Sequence, residues 1–223
     1  MESYEEVVKK YEVEITEEGT EQGIIYRALK RTMDIICSLV GLILLSPILI
    51  VIGILIKLES RGPILFSQDR VGKDGDIFKM YKLRSMVQDA EKLKSKLLEQ
   101  NEMSGPMFKI KDDPRVTKIG KFIRKTSIDE LPQLINVIKG DMSLVGPRPS
   151  LPKEVKEFEP WMLERLEVRP GLTCYWQVSG RNNIEFEEWM ELDVKYVKER
   201  NLFIDIKLIF KTALLLFGDK NAN

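Results

Sequence analysis

Two carboxylates, Asp129 and Glu130, stand side by side in the stretch RKTSIDELPQLINVIKGDMSLVGPRP, and the charged residues around them are largely cations. Arg124 and Lys125 precede the pair. Lys109, Lys111 and Arg115 lie upstream in FKIKDDPRVTKIG, and Arg148 sits between two prolines that restrict the backbone on either side of it. Several cations around two acids suit an anionic substrate. If that substrate carries a diphosphate, one carboxylate can attack phosphorus while the other holds a Mg2+ ion that neutralises phosphate oxygens. Neighbours on an α-helix point about 100° apart, so adjacent acids can serve different roles. A glycosidase-type acid and base fits less well, because those carboxylates stand roughly 5 to 9 Å apart across a sugar. Plainer readings stay open: acids in a first helical turn are favoured by the helix dipole, and basic residues also line solvated faces or meet lipid headgroups.

No histidine occurs in the 223 residues, which removes Ser-His-Asp and Cys-His catalysis and most zinc sites. Chemistry must run on carboxylates, lysines, arginines, hydroxyls or a hard metal, and Mg2+ takes oxygen ligands without needing imidazole. Lys plus Arg equals Asp plus Glu at 35 each, so no overall charge points to nucleic acid, and no such partner is expected. Cys37 and Cys174 are far apart and form no CxxC spacing, as reduced structural thiols would be. The length suits one domain with a real core.

The elements that must position the acids follow from pattern. A helix is expected from about Ser127 to Lys139, with Ser127 as N-cap, the acids in the first turn and Gly140 closing the run. Turn signals at Gly62-Pro63 and Asp74-Gly75 frame a small hairpin in GPILFSQDRVGKDGDIFKMYKLRSM. Asp89 to Gln100 reads as a charged helix, and Met1 to about Gly23 as a polar extension. From Ile35 to Ile56 the chain runs 22 residues without a charge, roughly 33 Å as one straight helix and long enough to cross a bilayer. Ser46-Pro47 interrupts it, because proline deletes a helical hydrogen bond, and the Ser46 hydroxyl is at hand for the freed carbonyl. Basic residues flank both ends, Arg27, Lys30 and Arg31 before and Lys57 and Arg61 after, so the positive-inside rule gives no orientation. A re-entrant helix that leaves by the face it entered and a kinked spanning helix both fit. Leu202 to Phe217 is apolar but carries Asp205, Lys207 and Lys211, which suits a helix lying in the headgroup plane or one packed on the core, with the nearby anchor favouring the membrane.

The order of these motifs resembles the bacterial sugar transferase family, the monotopic polyprenyl-phosphate phosphoglycosyl transferases. The resemblance runs from about Tyr26 to Phe217 through YRALKRTMDIICSLVGLILLSPILI, the hairpin segment, DDPRVTKIGKFIRKTSIDELPQLINVIKGDMSLVGPRP and RPGLTCYWQVSGRNN. It implies transfer of a sugar 1-phosphate from a UDP-sugar to membrane polyprenyl phosphate with release of UMP, the first membrane step of a bacterial surface glycan. By resemblance, Asp129 is the nucleophile that becomes a phosphosugar-aspartyl intermediate and Glu130 a ligand of an essential Mg2+. Arg124 and Arg148 match phosphate-holding positions, and Lys82 and Arg84 match a basic patch near the site, with Leu83 where the family has phenylalanine. Arg115 joins the expected phosphate-binding set, and Gln177 and Arg181 fall where the donor is recognised, although Gly180 and Asn182 also make an ordinary turn. Ser46 and Pro47 match the break of a re-entrant helix. Trp176 before Gln177 resembles the branch that handles galactose or glucose, while a glycine is common in the family where Cys174 stands.

The expected fold is α/β, mostly α: a small membrane-associated catalytic domain with a re-entrant helix-break-helix and interfacial amphipathic helices. Its parts are a polar extension over 1–25, a re-entrant membrane helix over 26–60 and a catalytic domain over 61–223. The extra transmembrane helices of larger family members are expected to be missing. The seat is the cytoplasmic face of a bacterial inner membrane, and pairing into a homodimer is open. Two rivals remain: a membrane adaptor whose acids only cap a helix, and a one-step transferase in which both acids hold metal.

Overall fold

The computed structural model describes residues 23–94, 97, 110, 112–179 and 184–218. The polar extension up to residue 22, most of the second half of the expected helix from Asp89 to Gln100, and Lys109, Lys111 and Arg181 lie outside the described residues. What is described is mostly helical, with two small sheets.

Helix α1 (Ile24–Glu59) contains Pro47 without interruption. Proline at 47 has no N–H to give the Ile43 carbonyl, and the Ser46 hydroxyl donates to that carbonyl instead, at 2.8 Å. The expected rescue by Ser46 is therefore present, but in place of the expected helix-break-helix the rescued carbonyl lets one helix continue through the proline. Both ends of α1 pack on the rest of the molecule: Asp34 and Ser38 are buried near its start, Ile52, Gly53 and Ile56 near its end. Between them the apolar surface is open, with Ile43 and Leu44 each 70% exposed. A water-soluble core helix would not leave that stretch bare.

The expected hairpin is formed by β1 (Leu65–Val71) and β2 (Ile77–Leu83), antiparallel in the register Phe66 to Lys82 and Arg70 to Phe78. Its turn uses left-handed backbone at Asp74 and Gly75. Helix α2 (Ala90–Lys94) follows, then α3 (Lys118–Lys125), α4 (Gln133–Lys139) and β3 (Ser143–Val145). After the short α5 (Pro152–Val155) and a 3-10 stretch over Pro160–Glu167, β4 (Gly171–Thr173) pairs parallel with β3. There the backbones touch: a Cβ on Gly171 would lie 2.1 Å from the Gly146 nitrogen, so neither position accepts a larger residue. Short α6 (Tyr175–Val178), α7 (Phe186–Glu199) and α8 (Leu202–Gly218) complete the described residues.

One apolar cluster joins α7 to the 3-10 stretch through Trp189, Met190, Met162 and Leu163. Another seats α1 on the domain, with Ile52 and Ile56 against Leu83 and the fully buried Ile123 of α3. Burying an isoleucine this completely stabilises by about 1.5–3 kcal/mol. Helix α8 packs on the core through buried Asp205 and Leu208, while Phe203, Ile206, Phe210 and Leu214 form an exposed stripe flanked by exposed Lys207 and Lys211. Cys37 and Cys174 are free thiols, the second buried.

Candidate active site

The acids do not begin one long helix. Helix α3 is N-capped by Thr117, whose hydroxyl accepts from the Gly120 N–H at 2.9 Å. After it, Ser127 adopts left-handed backbone (φ 55°, ψ 16°), and its side chain makes no capping bond. Ile128–Glu130 then forms a separate 3-10 turn before α4 begins at Gln133. Pro132 explains the break, since it offers no N–H to the Ile128 carbonyl and the Leu131 N–H takes that carbonyl at 3.2 Å. With three residues per turn, neighbouring side chains diverge by about 120°.

That divergence separates the acids into different surroundings. Glu130 Oε1 accepts from Lys82 Nζ at 2.7 Å and from Arg148 Nη1 at 3.2 Å. Burial alone would raise the Glu130 carboxyl, but these two cations hold it well below the usual carboxylate range. Asp129 is 6% exposed, and among the described residues none hydrogen-bonds its carboxylate. Burial pushes the Asp129 carboxyl up, Lys82 pulls it back, and the charge on Glu130 adds to the rise. One acid is thus a fixed, paired anion, and its neighbour is buried without a donor among the described residues.

Of the other expected residues, Arg124 stands exposed at the end of α3, where its charge acts on Asp129 and also on Asp113. Arg115 is buried in a pair with Asp113, 2.6 Å from Nη2 to Oδ2, and also donates to the Ala90 carbonyl. Arg84 faces away from the acids. Its guanidinium donates to the carbonyls of Ser60 at 2.8 Å, Ile56 at 3.4 Å and Arg61, closing the C-terminal end of α1. Gln177 is buried on α6, and Trp176 beside it packs its ring on Trp189 at 4.6 Å between centroids.

Several contributors escaped the sequence reading. Arg148 sits on a loop tied down at nearly every carbonyl: Val145 by Lys30 and Tyr196, Pro147 by the Gly171 N–H, Arg148 by Arg165, Pro149 by Arg70 and Ser150 by the Val71 N–H. Arg165 also bonds the Ser150 hydroxyl and is neutralised by Asp193 at 2.6 Å, the pair being almost wholly buried. Arg70 shares a hairpin face with Lys82, which the period of two would have revealed once the register was known. Its Nε is buried without a partner, and burial, with Arg148 nearby, lowers its pKa to about 10. Nothing in the spacing of Arg165 and Asp193 signals their pairing.

The donor set also bears on a metal. Among the described residues no group of three or more acids, histidines or cysteines forms a cage. Glu130 keeps Oε2 outside its two cation bonds, and the Asp129 carboxylate has no donor among the described residues. One or two carboxylates completed by water and phosphate oxygens is how Mg2+ is commonly bound, so the residues fit it.

Residues 25–219 match the sequence model of the family described as bacterial sugar transferase. The chain is 52% identical over 191 residues to the galactosyl transferase CpsE of Streptococcus agalactiae serotype III, covering 85% of this chain and 42% of that protein. It is 44% identical over 191 residues to an undecaprenyl-phosphate galactose phosphotransferase of Salmonella typhimurium, covering 84% and 40%. A UDP-glucose:undecaprenyl-phosphate glucose-1-phosphate transferase of Escherichia coli is 40% identical over 205 residues, covering 88% and 42%. The chain therefore spans about two fifths of the length of these relatives. With a match that runs through nearly all of its described residues, this chain belongs to the bacterial sugar transferase family.

Proposed function

We propose that the chain transfers a sugar 1-phosphate from a UDP-sugar to membrane undecaprenyl phosphate, releasing UMP and starting a bacterial surface glycan. The observation that carries this reading is the division between the two acids, one paired with cations and one buried without a donor. An Asp129 oxygen attacks the sugar-linked phosphorus, the phosphoanhydride bond breaks, and UMP leaves with the electron pair. A lipid phosphate oxygen then attacks the same phosphorus and returns the Asp129 carboxylate. Lys82 and Arg148 keep Glu130 ionised and supply positive charge beside the phosphates, with Arg124 at the rim. Glu130, with Asp129 beside it, would hold Mg2+, which when bound neutralises charge on the phosphate oxygens.

Membrane seating follows from α1 and α8. Both ends of α1 rest on one domain while its middle is bare and apolar, which supports a re-entrant seat on the cytoplasmic face, as a helix crossing the bilayer would carry its ends to opposite sides. The exposed stripe of α8 with Lys207 and Lys211 suits the headgroup plane. The donor is a hexose such as galactose or glucose, a choice supported by Trp176-Gln177 and by the names of the relatives.

Intact mass after incubation with Mg2+ and UDP-galactose or UDP-glucose, without lipid, tests the covalent step. A hexose-phosphate increment on the peptide holding Asp129 is expected. Turnover with lipid but no increment without it would mean direct transfer.

A further inference from the structure

The catalytic turn lies between α3 and α4, and α1 grips the outer end of each. At the start of α3 the Glu59 carboxylate accepts from the N–H groups of Lys118 at 2.8 Å and Ile119 at 3.1 Å. At the end of α4 the Arg31 guanidinium donates to the carbonyls of Val137 at 2.6 Å and Ile138 at 2.7 Å. Each side chain carries the charge that its helix end attracts, an anion at the N-terminal end of α3 and a cation at the C-terminal end of α4.

Apolar contacts follow the same path. Ile123 of α3 packs on Ile52 and Ile56 of α1, and a Cβ on Gly41 of α1 would lie 3.3 Å from a Leu134 methyl of α4. Arg84 fastens the end of α1 to the strand that carries Lys82. The elements bearing Lys82, Arg124, Asp129 and Glu130 are thus all registered on one helix, whose middle is the exposed Ser46-Pro47 step.

We propose that α1 is a brace for the catalytic turn, with Arg31 and Glu59 as positioning residues for Asp129 and Glu130. Its seating in the membrane is thereby coupled to the geometry of the acids. The catalytic consequence rests on the function proposed above; the mechanical one does not.

The experiment places the full chain in phosphatidylethanolamine and phosphatidylglycerol nanodiscs with Mg2+ and compares Glu59→Ala, Glu59→Gln, Arg31→Ala and Arg31→Lys with the parent. Lys57→Ala is the control, since among the described residues Lys57 bonds only the nearby Gly62 carbonyl. Amide exchange across residues 127–131 should quicken about tenfold in both alanine variants and remain at the parent rate in the control. The rate of the Asp129 adduct should fall about tenfold in the alanine variants with donor KM unchanged, and Glu59→Gln and Arg31→Lys should each retain most of the parent rate. Exchange within twofold of the parent in both alanine variants overturns the brace, whether or not the parent forms an adduct. Equal loss in the alanine and conservative variants also overturns it. Absence of an adduct in the parent, with exchange responding as expected, would instead overturn the covalent reading and leave the brace standing.

Discussion

Pro47 in α1 and Pro132 beside the turn that carries the two acids each remove one N–H, and each thereby orphans the carbonyl four residues earlier, Ile43 in one case and Ile128 in the other. In α1 the preceding side chain repairs the loss, because the Ser46 hydroxyl reaches Ile43 and the helix runs on. At Pro132 the preceding residue is leucine, with no side-chain donor, and its backbone N–H repairs the loss by closing a tighter ring on Ile128. One solution preserves a long apolar element at a place where, in the proposed membrane seat, lipid could not satisfy a bare carbonyl. The other tightens the backbone and turns Asp129 and Glu130 away from each other. The residue before each proline decides which repair is available.

The largest effect should come from the acid that the tightened turn leaves without a donor. Asp129→Asn keeps the shape and removes the charge proposed to attack phosphorus. UMP release should fall on the order of 10³-fold or more. Retained release would show that the turn separates the acids for some purpose other than attack.

Pro132→Ala breaks the comparison directly. It restores an N–H that can reach Ile128 in α-helical register, closing the angle between the acids from about 120° to about 100°. Adduct formation should drop about 10²-fold, as expected for a misplaced reacting group, while thermal unfolding moves little. Circular dichroism should show a small gain of helix. An unchanged rate would mean that contacts other than the missing N–H hold the turn.

A third effect is read from pH. Burial raises the Asp129 carboxyl, so the anion proposed as the nucleophile is lost as pH falls, starting at a higher pH than for an ordinary carboxylate. Adduct formation should then decline about tenfold per unit below that point. Glu130, held low by Lys82 and Arg148, stays charged through the same range. A profile with two ionisations in the acid limb would show that the turn does not separate the acids electrostatically.

How much of this was legible follows the reach of each signal. The hairpin and the Ser46 rescue were readable, because both depend on residues within a few positions of one another. The acids and Arg148 could be placed together by charge and proline spacing, and Lys82 by family resemblance. Arg84 shares that resemblance yet faces α1, since side chains two apart can be drawn to different neighbours at the end of a strand. The parallel pairing of β3 with β4 was hidden because three-residue strands carry no usable period. Arg165 with Asp193, and Arg31 and Glu59 with the ends of α4 and α3, are contacts between distant segments that no local pattern announces. The expected Ser127 cap failed because the same residues also permitted a separate 3-10 turn, which Pro132 imposed.

Ser46→Ala should give the smallest effect and sharpen the comparison most. It removes the donor to Ile43 without restoring the proline's N–H, so the carbonyl must tilt toward water or go unpaired. One hydrogen bond of this kind contributes about 0.5–1.5 kcal/mol in water, and side-chain bonds inside membrane proteins average about 0.6 kcal/mol. Unfolding measured in nanodiscs should shift by that amount, and adduct formation by no more than about threefold. The reason is leverage: Ser46 lies between the two grips of α1, while Pro132 lies two residues from Glu130 itself. If Ser46→Ala slowed the adduct as much as Pro132→Ala, a change in the middle of α1 would be reaching the acids undiminished. The repair at Ile43 would then matter to catalysis as much as the repair at Ile128.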